Sequence, residues 1–526
     1  MTTPHATNLH GFSAAGELKP TRRTLLRGAT ALAATAVAGL GVDAALAAPA
    51  AAATAPTGLL SGDPIAHLLR RATFGATPAA LAEANRLGLA GWLDRQLNPA
   101  AIDDSALDAL LTRLPLAGAD IATVRAKLPA RSYDAFGQLG RAAVARAIWS
   151  NRQLFEMTAM FWANHLHIAA PSSGVWDSRA DYDKTVTRAY AFGKFSDMLR
   201  ASARHPAMLT YLDNRNSTKA HPNENYAREL LELHTVGMNY TEADVQAAAR
   251  LLSGMTVGAG GAYAYNAARH ATGAVTVLGF SHPNATAEGG EAAVLALLDY
   301  LAMHPATAQR IATKLCLRFV ADEAPATLVA KLAKVYLDNG TAIAPVLRAL
   351  FTSSEFAASI AQKVRTPLED LTATVRALGL GIEKSGTKAL DALYNHLVNS
   401  GNAPFRWAPP NGFPEVAAAW ASPSAFLQRC NIHLNLAAGW YPSQLTRPAD
   451  LLKSLVPVLP GTYGGLVDAL ATRLVGTPLP ATHTAAVLSV AGKAPTSSLT
   501  SSDKQLAGSL PYLIALVLDS PAFQLR

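Results

Sequence analysis

The chain has 526 residues, half of them hydrophobic and 16% charged, with a formal net charge of +8. That composition excludes an intrinsically disordered chain and suits one large folded unit or two medium ones. No run of five basic residues and no basic stripe interleaved with aromatics occurs, which argues against nucleic acid as a partner.

The first element is a leader. Thr21-Arg22-Arg23-Thr24-Leu25-Leu26 matches the twin-arginine export pattern, the apolar run Gly28 to Val42 follows, and Ala45-Leu46-Ala47 offers a small-x-small cleavage site. Basic start, short apolar middle and small-residue cut are the three parts of a secretory signal. The run ends at Asp43 after 15 residues, short of the roughly 20 that a membrane span requires. The expected organisation is a signal peptide at 1–47, an Ala-rich linker at 48–61 and a single large helical domain at 62–526. The mature chain, net charge +6, is expected in the periplasm or outside the cell, with no integral membrane segment.

Helix punctuation is dense from there on. Asp63-Pro64 and Thr77-Pro78 each place Pro at a first helical position, and Gly88 closes the second helix. Arg141 to Leu166 carries apolar residues at helical spacing, as two helices or one. Thr241-Glu242-Ala243-Asp244 and Thr366-Pro367-Leu368-Glu369 are capping boxes, and Ser422-Pro423 starts a further helix.

Strand signals are confined to Met255–Phe280, where AYAYN and AVTVLGF flank a Gly-containing turn and are expected to pair as one hairpin. The fold class is therefore mainly α, a large multi-helix domain with a small β-hairpin insertion. From about 442 a Pro-, Gly-, Ser- and Thr-rich stretch leads to a C-terminal helix at 504–518, which reads as a C-terminal helical subdomain. VLRALFTSSEF (346–356) and LIALVLDSPAF (513–523) echo each other as apolar helix, polar pair and Phe. Cys316 and Cys430 lie in apolar helical contexts outside any CxxC pattern, which reads as two buried thiols, with an export-side disulfide as the alternative, and not as a zinc ribbon or covalent haem.

The polar residues that carry chemistry concentrate in Asn223-Glu224-Asn225-Tyr226-Ala227-Arg228-Glu229-Leu230-Leu231-Glu232-Leu233-His234. On one helix, Glu224, Arg228 and Glu232 share a face, while Asn225, Glu229 and Glu232 share the adjacent one. Such a set serves either as a surface helix with ion pairs or a Glu–Arg network that fixes packing, or as an acid/base or metal-holding carboxylate set oriented by Arg228. A second constellation is Phe161-Trp162-Ala163-Asn164-His165-Leu166-His167, in which helical His165 and His167 point apart and form no HExxH-type pair. The candidate catalytic residues are thus Glu224, Arg228, Glu229, Glu232 and His165. The candidate binding residues are Trp162, Asn164, Asn223 and Asn225.

Eight of the fourteen histidines fall between His165 and His304, yet no His-carboxylate pair stands at ligand spacing in the key helix, so no tightly bound metal is expected. No P-loop and no GxSxG elbow occurs, and no organic cofactor is expected.

HLLRRATFGATPAAL (67–81), MFWANHLHI (160–168), HPAMLTYLDN (205–214), NENYARELLELHTVG (223–237), YTEADVQAAARLLSGMTV (240–257), PNGFPEVAAAWASPSAFLQR (410–429) and the closing SPAFQLR resemble, in order, the bacterial family called domain of unknown function 1800. The resemblance implies an exported protein and a companion from domain of unknown function family 1501, but no reaction. His234 stands where members more often carry Phe, His167 where an aromatic is common, and Gly412-Phe413 where the family motif is Gly-Trp. Asn164, His165, Asn223, Glu224, Arg228, Glu229 and Glu232 fit the motif. Two functions follow as expectations. One is an envelope or extracellular enzyme with hydrolase-like acid/base chemistry in a Glu/Arg/His cleft. The other is a non-catalytic helical scaffold acting with the companion protein.

Overall fold

Asp63 accepts a hydrogen bond from the Ala66 N–H and Thr77 from the Ala80 N–H, so two of the orphan donors at these helix starts are satisfied by the side chains that announce them. The structure, a computed structural model, describes residues 58–526. The twin-arginine pattern, the apolar run, the cleavage site and linker residues 48–57 lie outside the described residues.

The described residues contain twenty-four α-helices and two small antiparallel two-stranded sheets, a mainly α fold. Gly88, at φ 69°, breaks the second helix, which resumes beyond it and runs to Gln96. The stretch 141–166 divides into Asp134–Trp149 and Gln153–His165. Both capping boxes form reciprocally, Thr241 with Asp244 and Thr366 with Glu369.

The expected hairpin is instead two. AYAYN and AVTVLGF do not pair with each other. Tyr263–Tyr265 pairs with Met255–Val257 (Met255 opposite Tyr265), and Val275–Val277 pairs with Phe280–His282 across a two-residue turn. That turn, Leu278-Gly279, has positive φ at both positions (51° and 87°), the backbone whose twist matches paired strands. Its unusual Leu is held on both sides: its N–H donates to Asp244 Oδ1 at 2.7 Å and its carbonyl accepts the Tyr300 hydroxyl at 2.6 Å. The two residues between Val277 and Phe280 close a shorter loop than the nine between Tyr265 and Val275, which favours the local pairing.

One continuous hydrophobic core runs from Leu59 to Phe523 and takes in Trp92, Trp162, Phe195, Tyr336, Tyr463 and Leu513. Pro423–Ala438 packs along Lys504–Leu518, and Val364 and Gly381 bridge to Leu525 and Thr446. The echo between 346–356 and 513–523 is a shared local device. Ser353 and Ser520 each accept from the Phe N–H three residues on and donate to the carbonyl three residues back. Each thereby ends one helix and starts a one-turn successor. No helix among the described residues is long and apolar enough to cross a membrane. Both cysteines are unpaired, Cys316 buried and Cys430 half-buried.

Candidate functional site

The NENYARELLELH segment is helical in two registers. Glu224–Glu229 is α, capped by Asn223, whose Oδ1 accepts from the Tyr226 N–H. Leu230–His234 is a π-helical turn. The wider π turn rotates Glu232 away from the face that α spacing assigns it. Arg228 stands 3.9 Å from Glu224 and makes a bidentate pair with Glu242 on the next helix (2.6 and 2.9 Å), while Glu232 accepts the Tyr240 hydroxyl at 2.6 Å. Glu224 and Asn225 are exposed, and Asn223 Nδ2 donates to the Leu212 carbonyl. Glu229 is half-buried; burial, then the neighbouring Glu232 charge, raises its carboxyl against the pull of Arg228.

The other constellation lies inside. Trp162 is fully buried, its indole N–H bound to the Ala191 carbonyl. Asn164 clamps the 412–413 loop. His165 is 2% exposed, and its Nε2 donates to the His234 carbonyl at 3.1 Å, closing the end of the π turn. Arg310 closes the same end at the Leu233 carbonyl. With Nε2 protonated, His165 Nδ1 is an acceptor, and the Lys314 amine donates to it at 3.1 Å. Burial, then the Lys314 and Arg310 charges, pushes the imidazole well below its ordinary value, so it is neutral. His167 binds the Trp407 carbonyl at 2.7 Å, and burial lowers it to about 4.

Lys314 is the residue that the sequence reading missed. It sits on Pro305–Phe319 and, with Arg310, Val236 and Met238, lines a surface hollow of about 560 Å³. Desolvation, reinforced by Arg310, brings the amine down to about 7. A lysine amine near neutrality that faces an open hollow can give or take a proton at physiological pH. Neither Glu224, Glu229 nor Glu232 lines that hollow. Glu232 acts on it only at second hand, through its charge on Arg310.

A second polar cluster is largely internal, with Glu415 and Asp322 at its half-buried rim. Glu369 (3% exposed) receives Arg526 at 2.6 Å and Arg318 at 2.9 Å, and Arg318 also binds Glu415 at 3.1 Å. Burial alone would raise the Glu369 carboxyl, but Arg526 and Arg318 outweigh it and hold it at about 2. Lys363 pairs with Asp322 at 2.5 Å, and Arg71 donates to the Val320 and Ser359 carbonyls. Beside it, His433 bridges Asp519 (2.7 Å) and Asp370 (2.9 Å) with both ring nitrogens. The signal for this cluster is visible in hindsight as charges set in apolar runs: Arg71 in HLLRRATF, Arg318 in LCLRFV, Glu369 in TPLEDLTATV. Among the described residues no group of three or more His, Cys, Asp or Glu is placed to hold a metal ion.

The fold and these clusters define a large helical protein braced by an internal ion network, with a lysine–histidine pair beneath a surface hollow. Residues 67–525 match the family model described as Protein of unknown function (DUF1800), and the chain belongs to that family. No curated protein and no solved structure matches it.

Proposed function

We propose that the protein is an exported acid/base enzyme whose proton-transfer group is the Lys314 amine, with hydrolysis of an envelope or extracellular substrate as the reaction class. The observation that carries this reading is the 3.1 Å contact of Lys314 Nζ with a neutral His165 at the edge of the 560 Å³ hollow. His165 is a positioning residue: its tautomer, set by the His234 carbonyl, takes one amine hydrogen and leaves the nitrogen lone pair for a water proton. Arg310 on the wall is a fixed cation for a developing anion. In this reading the motif carboxylates brace the helix end that holds His165. Export by the twin-arginine route rests on the Thr21–Leu26 pattern.

Competitive acylation followed by mass spectrometry tests the core of this reading. Lys314 labelling is expected to titrate with a midpoint near pH 7, against about 10.4 for ordinary lysines. Lys314→Met is expected to lower hydrolysis of a responsive ester or amide substrate by roughly 10²–10⁴-fold. An ordinary lysine midpoint overturns the assignment.

The scaffold reading keeps one specific observation in its favour. Arg228–Glu242 and Glu232–Tyr240 tie the motif into neighbouring segments, as bracing does. Under it, the companion of domain of unknown function family 1501 co-purifies equally well with the parent chain and with Lys314→Met, and no substrate responds.

A further inference from the structure

Arg365 is 7% exposed and makes no side-chain hydrogen bond among the described residues; its Nη1 is buried without a partner there, and its guanidinium stacks 4.5 Å from the Phe523 ring. A buried guanidinium carries five donors that normally find acceptors. The nearby carboxylates make their ion pairs with other cations, Glu369 with Arg318 and Arg526 and Asp370 through Oδ2 with Arg429 and His433, and neither makes a salt bridge to Arg365, although Asp370 Oδ1 is itself buried without a hydrogen-bond partner among the described residues. Arg365 instead lines a cavity of about 630 Å³ shared with Arg70 and Arg473. Arg70 spends one nitrogen on the Ser61 carbonyl, and its Nε is also unpartnered. Among the described residues no Asp or Glu lines the cavity, and its remaining walls are mostly apolar, including Leu455, Val456, Leu474 and Ala377.

Three cations with spare donors and an apolar wall define a ligand with two ends. The volume lies in the roughly 300–1,000 Å³ range of small-molecule sites. An inorganic anion would leave the apolar wall unfilled, and a neutral hydrocarbon would leave the guanidinium unpaired, so each half of the cavity demands one half of an amphiphile. The planar fork of Arg365 suits a carboxylate bidentately.

We propose that this cavity binds an anionic amphiphile, a carboxylate held by Arg365 with Arg70 and Arg473 and an acyl chain laid along Leu455, Val456 and Leu474. This site shares no lining residue with the Lys314 hollow.

Isothermal titration of the chain with dodecanoate, dodecyl phosphate, dodecanol and inorganic phosphate tests it. Dodecanoate is expected to bind at one per chain, and dodecanol at least roughly tenfold more weakly. Arg365→Gln is expected to lower dodecanoate affinity by roughly tenfold or more. Ala469→Phe, a half-buried wall position, is expected to lower it by narrowing the cavity without touching a charge. Should Arg365→Gln fail to fold, Arg473→Gln and Ala469→Phe carry the test. Equal affinity for dodecanoate and dodecanol, binding of dodecyl phosphate in preference to dodecanoate, binding of inorganic phosphate as tightly as dodecanoate, or affinity indifferent to every one of these substitutions overturns the proposal.

Discussion

The Asn164 carboxamide pairs with both main-chain groups of Phe413, Oδ1 accepting from its N–H at 2.5 Å and Nδ2 donating to its carbonyl at 2.9 Å. A side-chain amide thereby does the work of a neighbouring strand and pins the loop of the PNGFPEV segment to the end of Gln153–His165. The approach is so close that a Cβ on Gly412, itself at φ 76°, would fall inside contact distance of the Asn164 backbone. Gly412→Ala is expected to cost about 1–3 kcal/mol from strain and overpacking. Asn164→Ala is expected to cost about 1–3 kcal/mol, since it orphans two main-chain groups. Urea unfolding checks both, and an unchanged midpoint for Asn164→Ala would show that the clamp holds nothing.

The Glu369 carboxylate, flanked by Arg526 and Arg318, is the next test. Glu369→Gln leaves the buried Arg526 without its counter-charge and Arg318 with Glu415 alone, and is expected to destabilise by about 3–5 kcal/mol. Pairing it with Arg318→Met is expected to cost less than the sum of the two single changes, because the sites share a partner.

His433 supplies a pH signature. Burial opposes its protonation, but Asp370 and Asp519 outweigh burial and push the imidazole up to about 9. A group whose folded value is raised contributes stability that is complete below its unfolded value and lost as pH rises through the folded one. With an unfolded value near 6.5, the melting temperature is expected to fall between about pH 6.5 and 9. His433→Gln is expected to be less stable at pH 6 and to lose most of that slope. A slope equal to the parent's would place the titrating group elsewhere.

The motif carboxylates separate by context. Glu224 is exposed and only 3.9 Å from Arg228, so Glu224→Gln is expected to change stability by no more than about 0.5 kcal/mol. Glu232 accepts a short hydroxyl bond from Tyr240 and acts on Arg310, so Glu232→Gln is expected to cost more, about 1 kcal/mol. Thermal unfolding of the two variants side by side decides it, and equal effects would contradict the division.

The two thiols are expected to be slow toward alkylating and disulfide reagents in the native state. Burial pushes Cys316 up to about 12, and burial with the Asp519 carboxylate raises Cys430 as well, which removes the reactive thiolate. Release of both on adding denaturant, followed with a chromogenic disulfide, is the check.

Local chemistry made much of the fold legible. Thr241, Thr366, Ser422 and the X-Pro pairs mark helix starts because caps and Pro act within four residues of themselves, and those starts stand where the sequence puts them. The hairpin partners were not legible, because AVTVLGF can pair across either of two Gly-containing turns and alternation alone does not choose. The motif helix failed differently. Its α spacing is unbroken in the sequence, yet residues 230–234 are π-helical, since the end of that turn closes on His165 and Arg310 from other helices.

By itself the sequence determined the helical class, the cap positions, the family and a motif of polar residues, because each depends on contacts between near neighbours or on ordered motifs. Tertiary structure alone decided which groups meet. Lys314 is an unremarked residue of KLCLRF until helix packing sets it 3.1 Å from a histidine 149 positions away. Arg365 is an ordinary cation until the fold buries it beside an apolar cavity with no salt bridge of its own among the described residues. Desolvation and charge proximity act through space, and chain spacing does not encode the distance over which they act.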